Sequence, residues 1–136
     1  VNLAVSLHAP NDKLRQQIMP IAKAYKLEDL MKCLKNYLKQ TNRRVTFEYI
    51  MLENVNDSLD DAKELADLLQ NMNCYVNLIP YNETENIEYK RTKNNQIMKF
   101  YDILKKNKIN VTVRKEFGSK VDAACGQLRA NKNIGG

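Results

Sequence analysis

Residues 45–79 read VTFEYIMLENVNDSLDDAKELADLLQNMNCYVNLI, and this stretch decides the fold. Val45–Leu52 and Tyr75–Ile79 are short and rich in Val, Ile, Leu and Tyr, so each reads as a strand. Between them Ser58 stands where a helix N-cap belongs. Asp60 and Asp61 follow in the first turn, where carboxylates suit the helix dipole. Ala62, Leu65, Ala66, Leu69 and Met72 then share one helical face. A strand, a helix and a strand at this spacing predict a parallel pair joined by a right-handed crossover.

The same unit repeats on both sides. Val1–Leu7 and Ile109–Val113 read as further strands. Leu27, Leu30, Met31, Leu34, Tyr37 and Leu38 form an apolar stripe at helical spacing, and a third helix runs from about Lys93 to Asn107. Ile97, Phe100, Tyr101 and Leu104 face inward on it. A shorter helix around Asp12–Met19, ended by Pro20, follows the first strand. The predicted order is β-α-β-α-β-α-β, an α/β class of parallel repeats. Such a set closes an open sheet, or forms half of an eight-stranded (β/α) barrel, which needs about 250 residues.

The 136 residues fit one domain, and 43% hydrophobic with 28% charged residues is globular usage that argues against disorder. No apolar run approaches the roughly 20 residues that span a bilayer, and no secretory leader is visible. The three cysteines, Cys33, Cys74 and Cys125, lie far apart without CxxC spacing. That speaks against a disulfide framework or a zinc site and for a reducing, cytosolic setting. A strand at the very first residue, Val1, leads us to expect a piece of something longer. The net charge of +6 is lopsided: residues 1–68 carry ten basic and ten acidic side chains, and residues 69–136 carry twelve and six. A basic half on a neutral body suits a polyanion partner, or simply solubility.

In either α/β architecture the chemistry sits at the carboxyl ends of the strands. Ser6, His8 and Asn11 follow the first strand, and Glu53, Asn54, Asn56 and Asp57 the second. Tyr81 and Asn82 follow the third, Arg114 and Lys115 the fourth. His8, the sole histidine, reads as a loop cap or as a ligand contact; one histidine without partners is a poor metal site. Asn82 reads as a turn former or a ligand contact. Cys125 has small neighbours and nearby cations (Arg114, Lys115, Lys120, Arg129), which favour a thiolate; the plain alternative is an incidental thiol. Arg43, Arg44, Lys90, Arg91, Lys93, Arg114 and Lys115 make either a solvated face or an RNA-backbone surface. All four glycines sit at Gly118 or later, so a dinucleotide fingerprint is impossible.

Five segments now form a recognisable set: Ser6-Leu7-His8-Ala9-Pro10-Asn11-Asp12, Arg44–Leu52, Val55-Asn56-Asp57, Asn77–Asn82 and Asp122-Ala123-Ala124-Cys125-Gly126-Gln127-Leu128. In this order they closely resemble the carboxyl-terminal part of the RlmN family. These are radical S-adenosylmethionine (SAM) enzymes that methylate C2 of an adenine in large-subunit ribosomal RNA and in some tRNAs. The resemblance implies a partial TIM-like (β/α) barrel over 1–136, with 114–136 as a carboxyl-terminal loop and tail. It implies SAM at the carboxyl-end face, with Ser6, Leu7, His8 and Asn82 at the family's SAM-contacting positions. Cys125 matches the cysteine that takes a methyl group from one SAM. A second SAM, cleaved reductively at a [4Fe–4S] cluster, gives the radical that activates the methylated cysteine.

The family's cluster motif CxxxCxxC is absent here, so the cluster and an external electron donor are expected of the full-length enzyme only, and the chain alone is expected to be inactive. The implied partners are ribosomal RNA and tRNA in the cytoplasm, with no membrane. The sister branch, the Cfr methyltransferases, acts at C8 of the same adenine. Glu48-Tyr49, Pro80 and Ala123-Ala124 look more like the C2 branch, while Lys120-Val121 departs mildly from the usual acidic-Ile pair. The competing reading from another class is a non-catalytic, RNA-binding α/β module.

Overall fold

Alternating side chains in two of the central segments dictate a sheet with one buried face. In the computed structural model, which describes residues 3–83 and 88–114, these become strands with strict in–out burial. The elements run β1 (Leu3–Ser6), α1 (Asp12–Ile18), a 3-10 helix (Pro20–Ala24), α2 (Leu27–Thr41), β2 (Val45–Met51), α3 (Leu59–Leu68), β3 (Cys74–Pro80), α4 (Asn94–Lys106) and β4 (Asn110–Val113). The strands lie in the order β1-β2-β3-β4, and every pair is parallel. Each helical connection therefore carries the chain one strand along, which is the expected α/β alternation.

Parallel pairing requires the helices to cover the sheet. Val45, Phe47, Tyr49 and Met51 of β2 and Cys74, Val76 and Leu78 of β3 share one core with Leu27, Met31 and Leu34 of α2. Ala62, Leu65 and Ala66 of α3 and Ile97, Phe100 and Leu104 of α4 complete it. Tyr49 and Phe100 meet with ring centroids 5.2 Å apart. The alternate residues, Thr46, Glu48 and Ile50 on β2 and Tyr75, Asn77 and Ile79 on β3, are only half-buried and stand on the opposite face. Arg44 caps the lower end of that face, its guanidinium 4.8 Å from the Tyr75 ring centre.

Helix ends follow local chemistry. Ser58 Oγ accepts the Asp61 amide at 2.9 Å and Asp61 Oδ2 accepts the Ser58 amide at 3.3 Å, a complete capping box. α2 has no side-chain cap of its own at Lys26; instead Asp12 Oδ1 accepts the Leu27 amide at 2.8 Å. It closes on Asn42 in the left-handed region, φ 57°. The strands and helices sit within a few residues of the sequence reading. The helix after Ser58, whose apolar face was read through Met72, stops at Leu68, and Pro20 starts a 3-10 helix as well as ending α1. Val1 and Asn2 lie outside the described residues. Among the described residues, no helix is long and apolar enough to cross a membrane.

Candidate functional site at the carboxyl ends of the strands

The face of the sheet that none of the described helices covers carries a polar row. Ser6 pairs with Glu48, Glu48 with Asn77, and Asn77 with Thr112, so the four residues stand side by side across all four strands. Paired residues in a sheet share a face. Beyond the row, Arg114 Nη2 lies 3.8 Å from Glu48 Oε2. Both side chains are partly in solvent, so this pair contributes less than about 1 kcal/mol. Its effect is to set charge of both signs beside the row.

His8 leaves β1 in the left-handed region, φ 60°, which folds its ring back over the sheet. Its Nδ1 accepts the Ile50 amide at 3.0 Å, while its carbonyl accepts Asn56 Nδ2 at 2.8 Å. A nitrogen that accepts carries no proton, so the proton of the neutral ring sits on Nε2. Burial first, and then the charge of Arg15, lowers the His8 pKa from 6.5 to about 4. At neutral pH His8 is thus an uncharged ring with one N–H donor, and among the described residues Nε2 has no partner.

Asn56 and Asp57 tie the loops together. Asn56 Oδ1 accepts the Leu52 amide at 2.8 Å, and its Nδ2 also donates to Ile50 O at 2.7 Å. The Tyr49 hydroxyl donates to Asn56 O at 2.7 Å. Asp57 Oδ1 accepts the Asn54 amide at 3.0 Å, and its Oδ2 accepts the Thr92 hydroxyl at 2.8 Å. Gln96 Nε2 on α4 donates to Asp57 O at 2.8 Å. The exits of β1 and β2, the segment after β3 and the start of α4 are therefore locked to one another through two adjacent residues.

The structure sorts the residues that the sequence singled out. Ser6 is exposed at the carboxyl end of β1, in the polar row. Leu7 is fully buried in the core, with its amide bonded to Glu48 O, so it anchors the segment. Asn82 is exposed two residues beyond β3, at the same end of the sheet. Asn11 caps α1 through Leu14 N and donates to Glu64. Asn56 and Asp57 are buried and bonded within the protein, which makes them struts. Cys125 and Lys115 lie outside the described residues. Cys33 is exposed, and Cys74 is buried with its thiol pKa pushed up to about 11 by desolvation. Among the described residues, no three metal-ligating side chains gather. Sequence reasoning passed over Thr92, the hydroxyl partner of Asp57, and Arg15, a buried cation on α1. Neither carries a local signal.

No family model matches the chain. It is 59% identical over 136 residues to a protein of Spiroplasma citri named "Probable dual-specificity RNA methyltransferase RlmN", covering 99% of this chain and 38% of that protein. A protein of the same name from Enterococcus faecalis is 54% identical over 135 residues, covering 97% and 38%. Among solved structures, a radical SAM methyltransferase from Sphaerobacter thermophilus superposes with TM-score 0.85 at 46% identity, covering 93% of this chain and 37% of that one. A domain of pyruvate-formate lyase-activating enzyme from Bacteroides vulgatus superposes with TM-score 0.67 at 16% identity, covering 83% and 66%, a likeness of fold alone. The chain thus spans less than two-fifths of the length of these curated relatives. Over the segment that it spans, the chain is similar to proteins named RlmN.

Proposed function

We propose that residues 1–136 are the SAM-binding, carboxyl-terminal part of a radical SAM barrel that methylates adenine C2 in ribosomal RNA and tRNA in the cytoplasm, with 114–136 as its loop and tail. The observation that carries this reading is 54–59% identity, along nearly the whole chain, to proteins named as dual-specificity RNA methyltransferases. The geometry is compatible with SAM as substrate. SAM presents an amino acid head, a ribose and an adenine, all rich in acceptors and donors. The polar row offers the Ser6 hydroxyl, the Glu48 carboxylate and the Asn77 amide, and His8 offers a single neutral N–H.

In this reading Ser6 and His8 contact SAM, Leu7 fixes their backbone in the core, and Asn82 approaches from the β3 exit. A neutral His8 adds no second positive charge beside a sulfonium. SAM supplies the methyl group, and Cys125 is the proposed acceptor, its thiolate becoming a thioether. In this reading the [4Fe–4S] cluster and an external electron donor belong to the full-length enzyme, since the family's CxxxCxxC motif is not in this sequence.

Isothermal titration of SAM into the full-length protein tests the site. Ser6→Ala combined with His8→Gln weakens binding at least tenfold, about 1.4 kcal/mol. Unchanged affinity in a folded double variant contradicts the assignment. Modification at adenine C8 rather than C2 points to the sister branch.

A further inference from the structure

Three turns join a helix to the start of a strand, and the parallel sheet sets all three at one end, opposite the strand exits. They are Lys39-Gln40-Thr41-Asn42-Arg43-Arg44 before β2, Gln70-Asn71-Met72-Asn73 before β3 and Lys105-Lys106-Asn107-Lys108 before β4. Six side chains there are cationic and none is acidic. The nearest carboxylates along α3 and α4, Asp67 and Asp102, stand a turn earlier. At the strand exits charges of both signs meet instead: Lys93 Nζ lies 3.4 Å from Glu53 Oε2, and Arg114 Nη2 lies 3.8 Å from Glu48 Oε2. Basic residues that look alike in the sequence therefore fall at opposite ends of the sheet.

The three turns form one surface. β2, β3 and β4 are neighbours, so successive turns lie about 5 Å apart. Asn73 Nδ2 donates to Arg43 O at 3.1 Å, and Gln70 Nε2 donates to Asn107 O at 3.5 Å. The neutral middle turn is thus bonded to both basic ones. Lys39, Arg43, Lys105, Lys106 and Lys108 are exposed, and Arg44 is half-buried against Tyr75. Cations also complement helix carboxyl ends, but each end carries only about half a negative charge, and the six cations outweigh those of α2 and α4. Lys108 is the least explained in that way. It holds a left-handed turn position, φ 65°, that suits glycine or asparagine, and Asn42 and Asn71 take it in the sister turns. A lysine there sacrifices backbone ease and adds a charge to the patch.

We propose, on the reading that the substrate is RNA, that this amino-terminal rim binds the phosphate backbone of a folded RNA far from the adenine at the strand exits. Lysine and arginine neutralise phosphates, and the exposed amides of Asn42 and Asn71 suit phosphate and sugar oxygens. The seven-residue β2 is roughly 23 Å long, so an RNA that meets both ends of the sheet must reach that far around it. A hairpin of a few base pairs carrying the target adenine is held at the exits alone. A large-subunit RNA domain carrying the same hairpin reaches both ends.

Filter binding of both RNAs to the full-length protein across a salt series tests this. The combined variant Lys39→Gln, Arg43→Gln, Lys105→Gln, Lys106→Gln and Lys108→Gln binds the domain at least about tenfold more weakly, with a salt slope shallower by about 3, and binds the hairpin as the wild type does. Neutralising as many exposed lysines elsewhere, by Lys26→Gln, Lys32→Gln, Lys35→Gln, Lys63→Gln and Lys99→Gln, leaves both affinities within about twofold. Acetylation of the wild-type protein, read by mass spectrometry, needs no variant: the domain protects Lys105, Lys106 and Lys108, and the hairpin does not. Unchanged binding of the domain by the rim variant overturns the proposal, as do equal losses in the two variants or on both RNAs. Lysines already unreactive without RNA are covered by another part of the intact protein, and protection by polyglutamate equal to that by RNA marks a surface for an acidic protein; either overturns it. A wild-type protein that neither binds nor methylates either RNA sinks the substrate reading, and the rim with it.

Discussion

His8 keeps its ring neutral because its Nδ1 is committed to the Ile50 amide and its surroundings are dry and carry a nearby cation. The consequence for stability has a definite sign. With a folded pKa of about 4 against 6.5 unfolded, the unfolded chain takes up a proton first as pH falls. Above pH 6.5 the effect vanishes; between 6.5 and 5 it removes about 2 kcal/mol, a loss that runs on to the folded value. Denaturant titrations at pH 7 and pH 5 measure it. His8→Asn, whose Oδ1 replaces Nδ1 as acceptor, flattens the difference; a slope that survives in that variant places the titrating group elsewhere. Asn56→Ala strands the Leu52 amide and the His8 and Ile50 carbonyls. It destabilises by on the order of 3–5 kcal/mol, read by the same titrations. The sequence marked His8 and Asn56 as polar exits, and their family motifs raised both. It did not distinguish a ligand contact from a strut. That distinction depends on which partners converge from β1, β2 and the loop before α4, and the pairs His8–Ile50, His8–Asn56 and Asp57–Thr92 lie 42, 48 and 35 residues apart. Arg15 was invisible for the same reason, since Lys-Leu-Arg in a short helix reads as solvated until the edge of β1 is in place.

The elements were legible where periodicity is strong. β2 and β3 alternate cleanly, and α2, α3 and α4 each present a stripe to the same core. Ser58 was readable as a cap because an Asp stands three residues on, and the structure completes the box. Ser58→Ala removes that bond and costs about 1 kcal/mol of stability, seen as a lower midpoint in denaturant with an unchanged slope. Boundaries were less legible. The stripe through Leu69 and Met72 continues past the end of α3 because the following turn still packs on the core. The 3-10 helix at Pro20 escaped notice because proline both stops one helix and opens the next. Asp12 capping α2 across 15 residues has no local signature at all. Asp12→Ala therefore destabilises α2 rather than α1; hydrogen exchange at the Leu27 amide rises while the Arg15 amide is unaffected.

At the scale of the whole molecule, the described residues form four consecutive parallel strands with helices packed on one face, and none of these helices covers the second face. That second face carries the polar row. A sequence read alone allows either an open sheet or part of a barrel; the superposition on a radical SAM methyltransferase at TM-score 0.85 favours the barrel. The 136 residues alone are expected to take up no iron–sulfur cluster on anaerobic reconstitution, and a stoichiometric cluster spectrum would contradict this. The central claim is that this chain supplies the SAM-binding residues and the methyl-accepting Cys125 of an RNA adenine methyltransferase. Its most direct test is nucleoside mass spectrometry of ribosomal RNA and tRNA incubated with the full-length enzyme, SAM and a reductant. The account predicts C2-methyladenosine with the wild-type protein and none with Cys125→Ala. C2-methyladenosine formed at wild-type levels by Cys125→Ala would contradict it.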